Sequence, residues 1–173
     1  KLGGSSLGQI LNKIGNETPT IKDSTFFKNA FNTIQDLIKE GQIIAGHDIG
    51  SGGLITTLLE MCFPSLNIGA NIDLEVFEEK NSYKILFSEN IGLVIQPKND
   101  SHFENTLKSN HISFYKIGNV TKDNHLQLLI DGKNTIFNIS DYRKIWFKTS
   151  FLLDQRQSKN GTAEERFENF DKQ

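Results

Sequence analysis

The chain has 173 residues and a single cysteine, Cys62. One thiol cannot form an intrachain disulfide, and its neighbours Met61 and Phe63 mark it as a small hydrophobe rather than a reactive nucleophile. That usage suits a reducing compartment, and the cytoplasm is the expected location. No run of about 18 apolar residues is present to cross a bilayer, and the first residues lack the basic and apolar regions of a signal peptide. Long Lys/Arg runs are missing as well, and the formal net charge is −2. Neither nucleic acid nor an anionic membrane surface is therefore an expected partner. The histidines His47, His102, His111 and His125 show no His-x-His spacing and there is no Cys-x-x-Cys, so zinc is not expected. No Gly-x-Ser-x-Gly elbow supports a hydrolase triad. Methionine is equally scarce: Met61 is the only one and the chain opens on Lys1, so it reads as a piece of something longer.

What is plentiful is phenylalanine, thirteen residues, within a hydrophobic content of 36%. That is enough for one sizeable core or two small ones, and one compact domain is the plain expectation. Residues 1–15 read as a Gly-Gly-Ser-Ser loop followed by a short helix carrying Leu7, Ile10, Leu11 and Ile14. In 23–41, Phe27, Ala30, Phe31, Ile34, Leu37 and Ile38 fall on one helical stripe, with Asp23 or Ser24 as N-cap and Gly41 as stop signal. Residues 42–49 read as a strand and 53–63 as the helix after it. The segments 67–74, 82–89, 91–98 and 112–121 read as strands, and 100–110 as a surface helix opened by an Asp or Ser cap. Residues 125–139 form a hairpin turning at Asp131–Gly132. A last helix over 140–153 is expected to bury Ile145 and Trp146. The pattern predicts an α+β fold, helices packed on a mixed, largely antiparallel sheet, over 1–153. Residues 154–173 lose apolar periodicity and read as a linker or tail.

Two stretches carry chemistry. "HDIGSGGLITTLLE" (47–60) sets Asp48, Gly50, Ser51, Gly52 and Gly53 directly before an apolar helix. A helix N-terminus offers unpaired amides and about half a positive charge, and glycines let a phosphate approach without a Cβ clash. A carboxylate there would repel a bare phosphate, so Asp48 suits anion chemistry only with a magnesium ion between them. Equally, Asp48 and Ser51 could satisfy turn and cap donors while the glycines take positive φ. "LGGSS" (2–6) poses the same choice, with Gly3, Gly4 and Ser5 as candidate phosphate ligands. Glu89, in "FSENIG", reads as a solvated turn residue between strands.

Three segments carry a resemblance. "LGGSSLGQI" (2–10) resembles LGGSALAQ, "IIAGHDIGSGGLITTLLEMCF" (43–63) resembles AYHDRSDGGLLVTLAEMAF, and "LFSENIGLVIQ" (86–96) resembles LFNEELGAVIQ, all segments of the phosphoribosylformylglycinamidine synthase family. Order and approximate spacing agree. The resemblance implies a C-terminal-type domain of the aminoimidazole ribonucleotide synthetase superfamily, which pairs with an N-terminal-type domain to make an Mg-ATP site. "WFKTSFLLDQRQ" followed by "AEERFEN" resembles the junction toward a glutaminase domain, which implies the second of two such domains in the parent chain. The implied partners are thus the N-terminal-type domain and the glutaminase of that chain, together with small-molecule substrates.

The implied reaction is ATP-dependent conversion of the formylglycinamide ribonucleotide amide to an amidine with ammonia from glutamine. By resemblance, Asp48 is the magnesium ligand. The family's ATP-contacting Ser falls on Gly50 and its second Asp on Ser51, so contact here passes to backbone N–H or shifts to Ser51. No residue of this chain is assigned to the chemical step, and the isolated fragment is expected to be inactive. The competing reading is a non-catalytic scaffold that docks the glutaminase or holds a structural nucleotide.

Overall fold

The computed structural model of the chain describes residues 1–65 and 67–169. Its first half runs α1 (Ser6–Ile10), α2 (Ser24–Lys39), β1 (Ile43–Asp48), α3 (Gly53–Cys62), β2 (Gly69–Asp73) and α4 (Ser82–Phe87). The second half runs β3 (Leu93–Pro97), α5 (Asp100–Ser109), β4 (Gly118–Thr121), β5 (His125–Ile130), β6 (Lys133–Asn138), α6 (Ile139–Gln157) and α7 (Thr162–Asn169). The chain divides into two compact units, one of residues 1–61 and 74–117, the other of residues 62–73 and 118–173.

The first unit holds a two-stranded antiparallel sheet in which β1 pairs with β3, His47 opposite Val94 and Asp48 opposite Leu93. Asp23 caps α2 by accepting the Phe26 N–H at 2.9 Å. Leu37 of α2 is buried with Phe103 and Leu107 of α5 and with Ile112, and Ala30, Ile34, Ile43, Ile95 and Phe114 pack against this cluster. The helix α3 is apolar enough that Leu54, Ile55, Leu58 and Leu59 are all buried.

The second unit is built on a four-stranded sheet in the order β4-β2-β5-β6. The β2–β5 pair is parallel and the other two pairs are antiparallel. The α+β expectation with a mixed, largely antiparallel sheet holds. The β5–β6 hairpin closes through Asp131 and Gly132, with φ of 51° and 66°, the two left-handed residues that a type I′ turn requires. Leu126, Leu128 and Ile139 are fully buried there.

Several local expectations are corrected. Residues 82–87 are the helix α4, not a strand: Asn81 accepts the Lys84 N–H at 3.1 Å and starts a helical turn that a short apolar run does not announce. Of 112–121 only Gly118–Thr121 pairs as a strand. The cap of α5 is Asn99, which accepts from His102 N–H, rather than Asp100 or Ser101. Ile145 and Trp146 are exposed on α6, as are Ile10, Leu11 and Ile14 near α1 and Phe27, Phe31 and Ile38 on α2. The stripes are where periodicity puts them, but only part of each is covered. Beyond residue 153, read as a tail, α6 continues to Gln157 and α7 follows, held by an Arg166–Asp154 ion pair of 2.7 Å. Residues 170–173 of that expected tail lie outside the described residues.

Candidate functional site

Asp48 is the last residue of β1, immediately before the glycine-rich loop. Its backbone is tied down. The Asp48 carbonyl accepts the Nδ1 hydrogen of His47 at 2.6 Å and the hydroxyl of Thr57 at 3.2 Å. Thr57 lies in α3 and is only 1% exposed. Opposite, the Ile49 N–H donates to the Gly92 carbonyl at 2.9 Å. The Asp48 side chain is left outside this lattice, 80% exposed, with the His47 ring nitrogen 3.6 Å away. The other imidazole nitrogen of His47 faces Glu60 at 3.3 Å.

The loop after Asp48 closes as a turn, the Gly53 N–H donating to the Gly50 carbonyl at 3.0 Å. Gly53 has φ +74°, and a Cβ there would meet the Leu86 carbonyl oxygen at 2.6 Å and the Phe87 Cα at 2.7 Å. Only glycine lets the chain lie that close to the 86–87 backbone and turn into α3. At Gly50, by contrast, a Cβ would meet nothing nearer than the Asp48 Oδ2 at 3.9 Å.

Glu89 joins this loop to the other one. Its Oε1 accepts the Gly52 N–H at 2.9 Å and the Ser6 N–H at 2.8 Å. Burial pushes the Glu89 carboxyl up, but the Ser6 and Gly52 amides and the Ser6 hydroxyl outweigh it and hold the group below the usual carboxylate range. The expectation of a solvated turn residue at Glu89 is corrected, because two backbone amides from separate loops bind its Oε1. The available signal was its place within a segment that matched together with both loops.

The remaining candidates divide sharply. Gly3 N–H donates to the Glu17 carbonyl, Gly4 N–H to that of Ile14 and Ser5 N–H to that of Leu2, at 2.9, 2.8 and 3.2 Å. Ser5 is 2% exposed, and its hydroxyl donates to Leu2 O while accepting from Gly8 N–H, so it caps α1. With Gly52 and Gly53 also spent internally, Gly50 and Ser51 are the candidates whose amides have no partner among the described residues.

Magnesium suits this donor set in one respect. It keeps several waters and is held by one or two carboxylates plus substrate phosphates rather than by an all-protein cage. One exposed carboxylate on a rigid backbone fits that habit. Among the described residues no group of three or more His, Cys, Asp or Glu side chains could hold a metal alone. No helix among them is long and apolar enough to cross a membrane.

Residues 1–131 match the family described as AIR synthase related protein, C-terminal domain. A relative from Arabidopsis thaliana, named "Probable phosphoribosylformylglycinamidine synthase, chloroplastic/mitochondrial", is 37% identical over 160 residues, covering 91% of this chain and 11% of that protein. The chain thus spans about a ninth of that relative's length. Among solved structures, PurLQS from Thermotoga maritima superposes with a TM-score of 0.60 at 16% identity, covering 79% of this chain and 24% of that one. PurL of the same organism complexed with ATP gives 0.56 at 16% identity over 65% of this chain and 21% of that one. At such identity these likenesses establish fold.

Proposed function

Since this chain belongs to the AIR synthase related protein C-terminal domain family, we propose that it is one domain of a phosphoribosylformylglycinamidine synthase and supplies one wall of its Mg-ATP site. The observation that carries this reading is the exposed Asp48 carboxylate on an immobilised backbone, followed by the two unspent amides of Gly50 and Ser51. The ATP complex of the Thermotoga maritima protein supports the choice of nucleotide.

The synthase reaction activates an amide oxygen, a poor leaving group, by phosphoryl transfer from ATP, after which ammonia displaces phosphate. Magnesium, when bound, supplies neutralisation of polyphosphate charge. Asp48 anchors that ion, while Thr57 and His47 hold the Asp48 carbonyl so that the carboxylate is presented without reorganisation. The Gly50 and Ser51 amides, with the Ser51 hydroxyl, take phosphate oxygens at the mouth of α3, whose dipole favours them. The substrate carbon is handled elsewhere, by the N-terminal-type domain. Ammonia comes from the glutaminase domain of the same parent chain. The single cysteine, buried and protonated, suits a reducing compartment such as the cytoplasm.

The test uses the full-length parent protein with formylglycinamide ribonucleotide, glutamine and Mg-ATP. Wild type forms the amidine, and Asp48→Asn lowers magnesium-dependent turnover roughly ten- to a hundredfold, the loss of a charge-assisted contact. Unchanged turnover across a magnesium titration rejects the assignment. A scaffold reading draws on one observation, that five of the seven candidate phosphate amides are spent internally. It wins if nucleotide binds the parent protein with full stoichiometry but Asp48→Asn leaves turnover intact.

A further inference from the structure

The segment 86–92 acts as a template for the loop that carries Asp48. It holds the loop at three points: Gly92 O takes the Ile49 N–H, the Leu86–Phe87 backbone lies against Gly53, and Glu89 takes the Gly52 N–H. The first is a backbone contact that many sequences could make, and the second requires only glycine at 53. The third depends on one side chain, and that side chain also takes the Ser6 N–H, 83 residues away in sequence. A single oxygen thereby sets the distance between two glycine-rich loops.

We propose that Glu89 is a positioning residue for the Mg-nucleotide site: by accepting both the Ser6 and the Gly52 amides it fixes the 48–53 loop, and with it the direction of the Asp48 carboxylate and of the Gly50 and Ser51 amides. The inference rests on the nucleotide reading above. Glu89 itself touches neither metal nor phosphate. Its Oε1 is the point on which the two amides converge. Glu89 takes the Gly52 amide away from a nucleotide, and the Glu17, Ile14 and Leu2 carbonyls take those of residues 3–5, which leaves the nucleotide to residues 50 and 51. Two separate requirements follow. The accepting oxygen must be present, and it must reach both amides.

The substitutions Glu89→Gln, which keeps that oxygen, and Glu89→Ala, which removes it, test the first requirement in the full-length parent protein, and the shorter Glu89→Asp tests the second. Hydrogen–deuterium exchange at Ser6 and Gly52 reads the contact directly. Calorimetric titration with magnesium and a non-hydrolysable ATP analogue reads its consequence. In Glu89→Ala, exchange at both amides rises by about tenfold or more while Leu126 and Leu128 are unaffected, and nucleotide affinity falls by about tenfold. Glu89→Gln stays within about threefold of wild type on both counts.

Exchange unchanged in Glu89→Ala, or exchange raised with nucleotide affinity unchanged, overturns the inference. A wild-type protein that binds no magnesium nucleotide is instead the failure of the nucleotide reading, and the exchange arm still reports on the clip. Where Glu89→Ala fails to fold, Glu89→Asp takes its place. It keeps the carboxylate on an arm one methylene shorter, and wild-type exchange and affinity in that variant equally overturn the inference.

Discussion

Asp48 illustrates how a residue can be committed at its backbone and open at its side chain. Its carbonyl is held by His47 and by the buried Thr57, while its carboxylate is exposed. The same economy governs its neighbour Gly50, where a side chain has room and would lie toward the Asp48 oxygen. Gly50→Ser restores a hydroxyl at the position where the resembling synthases have one. Nucleotide affinity in the parent protein is expected to rise about three- to tenfold, the value of one hydrogen bond. An unchanged titration would show that backbone alone suffices at this position.

Cys62 is the residue-scale case of pure burial. Desolvation first, and Asp123 second, push its thiol up to about 11 from an ordinary value of 9.0. At pH 8 the thiolate fraction is about 0.1%, so a thiol reagent should label the native protein far more slowly than the denatured one. The raised value also fixes a sign. Between pH 9 and 11 the unfolded chain releases a proton that the folded chain keeps, so this contribution to stability is complete below pH 9 and lost as pH rises through 11. Urea midpoints across that range should fall for wild type more steeply than for Cys62→Ala, and parallel slopes would contradict it.

At the scale of elements, legibility followed length and punctuation. The helix α2 carried its cap, its stripe and its stop in the sequence, and α3 followed a glycine signal. The six residues of α4 did not, because a short apolar run fits strand and helix alike and Asn81 decides between them. For the site, the sequence supplied both loops but not the division of their amides into internally bonded and unbonded ones. That depends on which carbonyl or carboxylate each N–H meets across the fold, and no local pattern records it. Gly53 shows the cost of the loop's geometry. Gly53→Ala places a Cβ in left-handed backbone and against Leu86 and Phe87, and should destabilise by about 2 kcal/mol or more in chemical denaturation. A loss within about 0.5 kcal/mol would mean that the loop can relax away from its template.

At the scale of the molecule, the two units differ in what they leave uncovered. In the first, Phe26, Phe27, Phe31 and Ile38 are exposed on α2, and in the second Tyr142, Ile145, Trp146, Leu152 and Leu153 on α6. Helical periodicity made these stripes readable, but it could not say what covers them. They are consistent with a domain that meets others in a longer synthase, where an ATP site needs a second wall. The account stands on a divalent ion gripped by Asp48 beside a nucleotide. Its most direct test is electron paramagnetic resonance of the full-length parent protein loaded with manganese in place of magnesium, together with a non-hydrolysable ATP analogue. The signal of protein-bound manganese should be smaller for Asp48→Asn than for wild type at the same concentrations, by the one ion that this site holds. An identical bound-manganese spectrum in the two proteins would contradict the account.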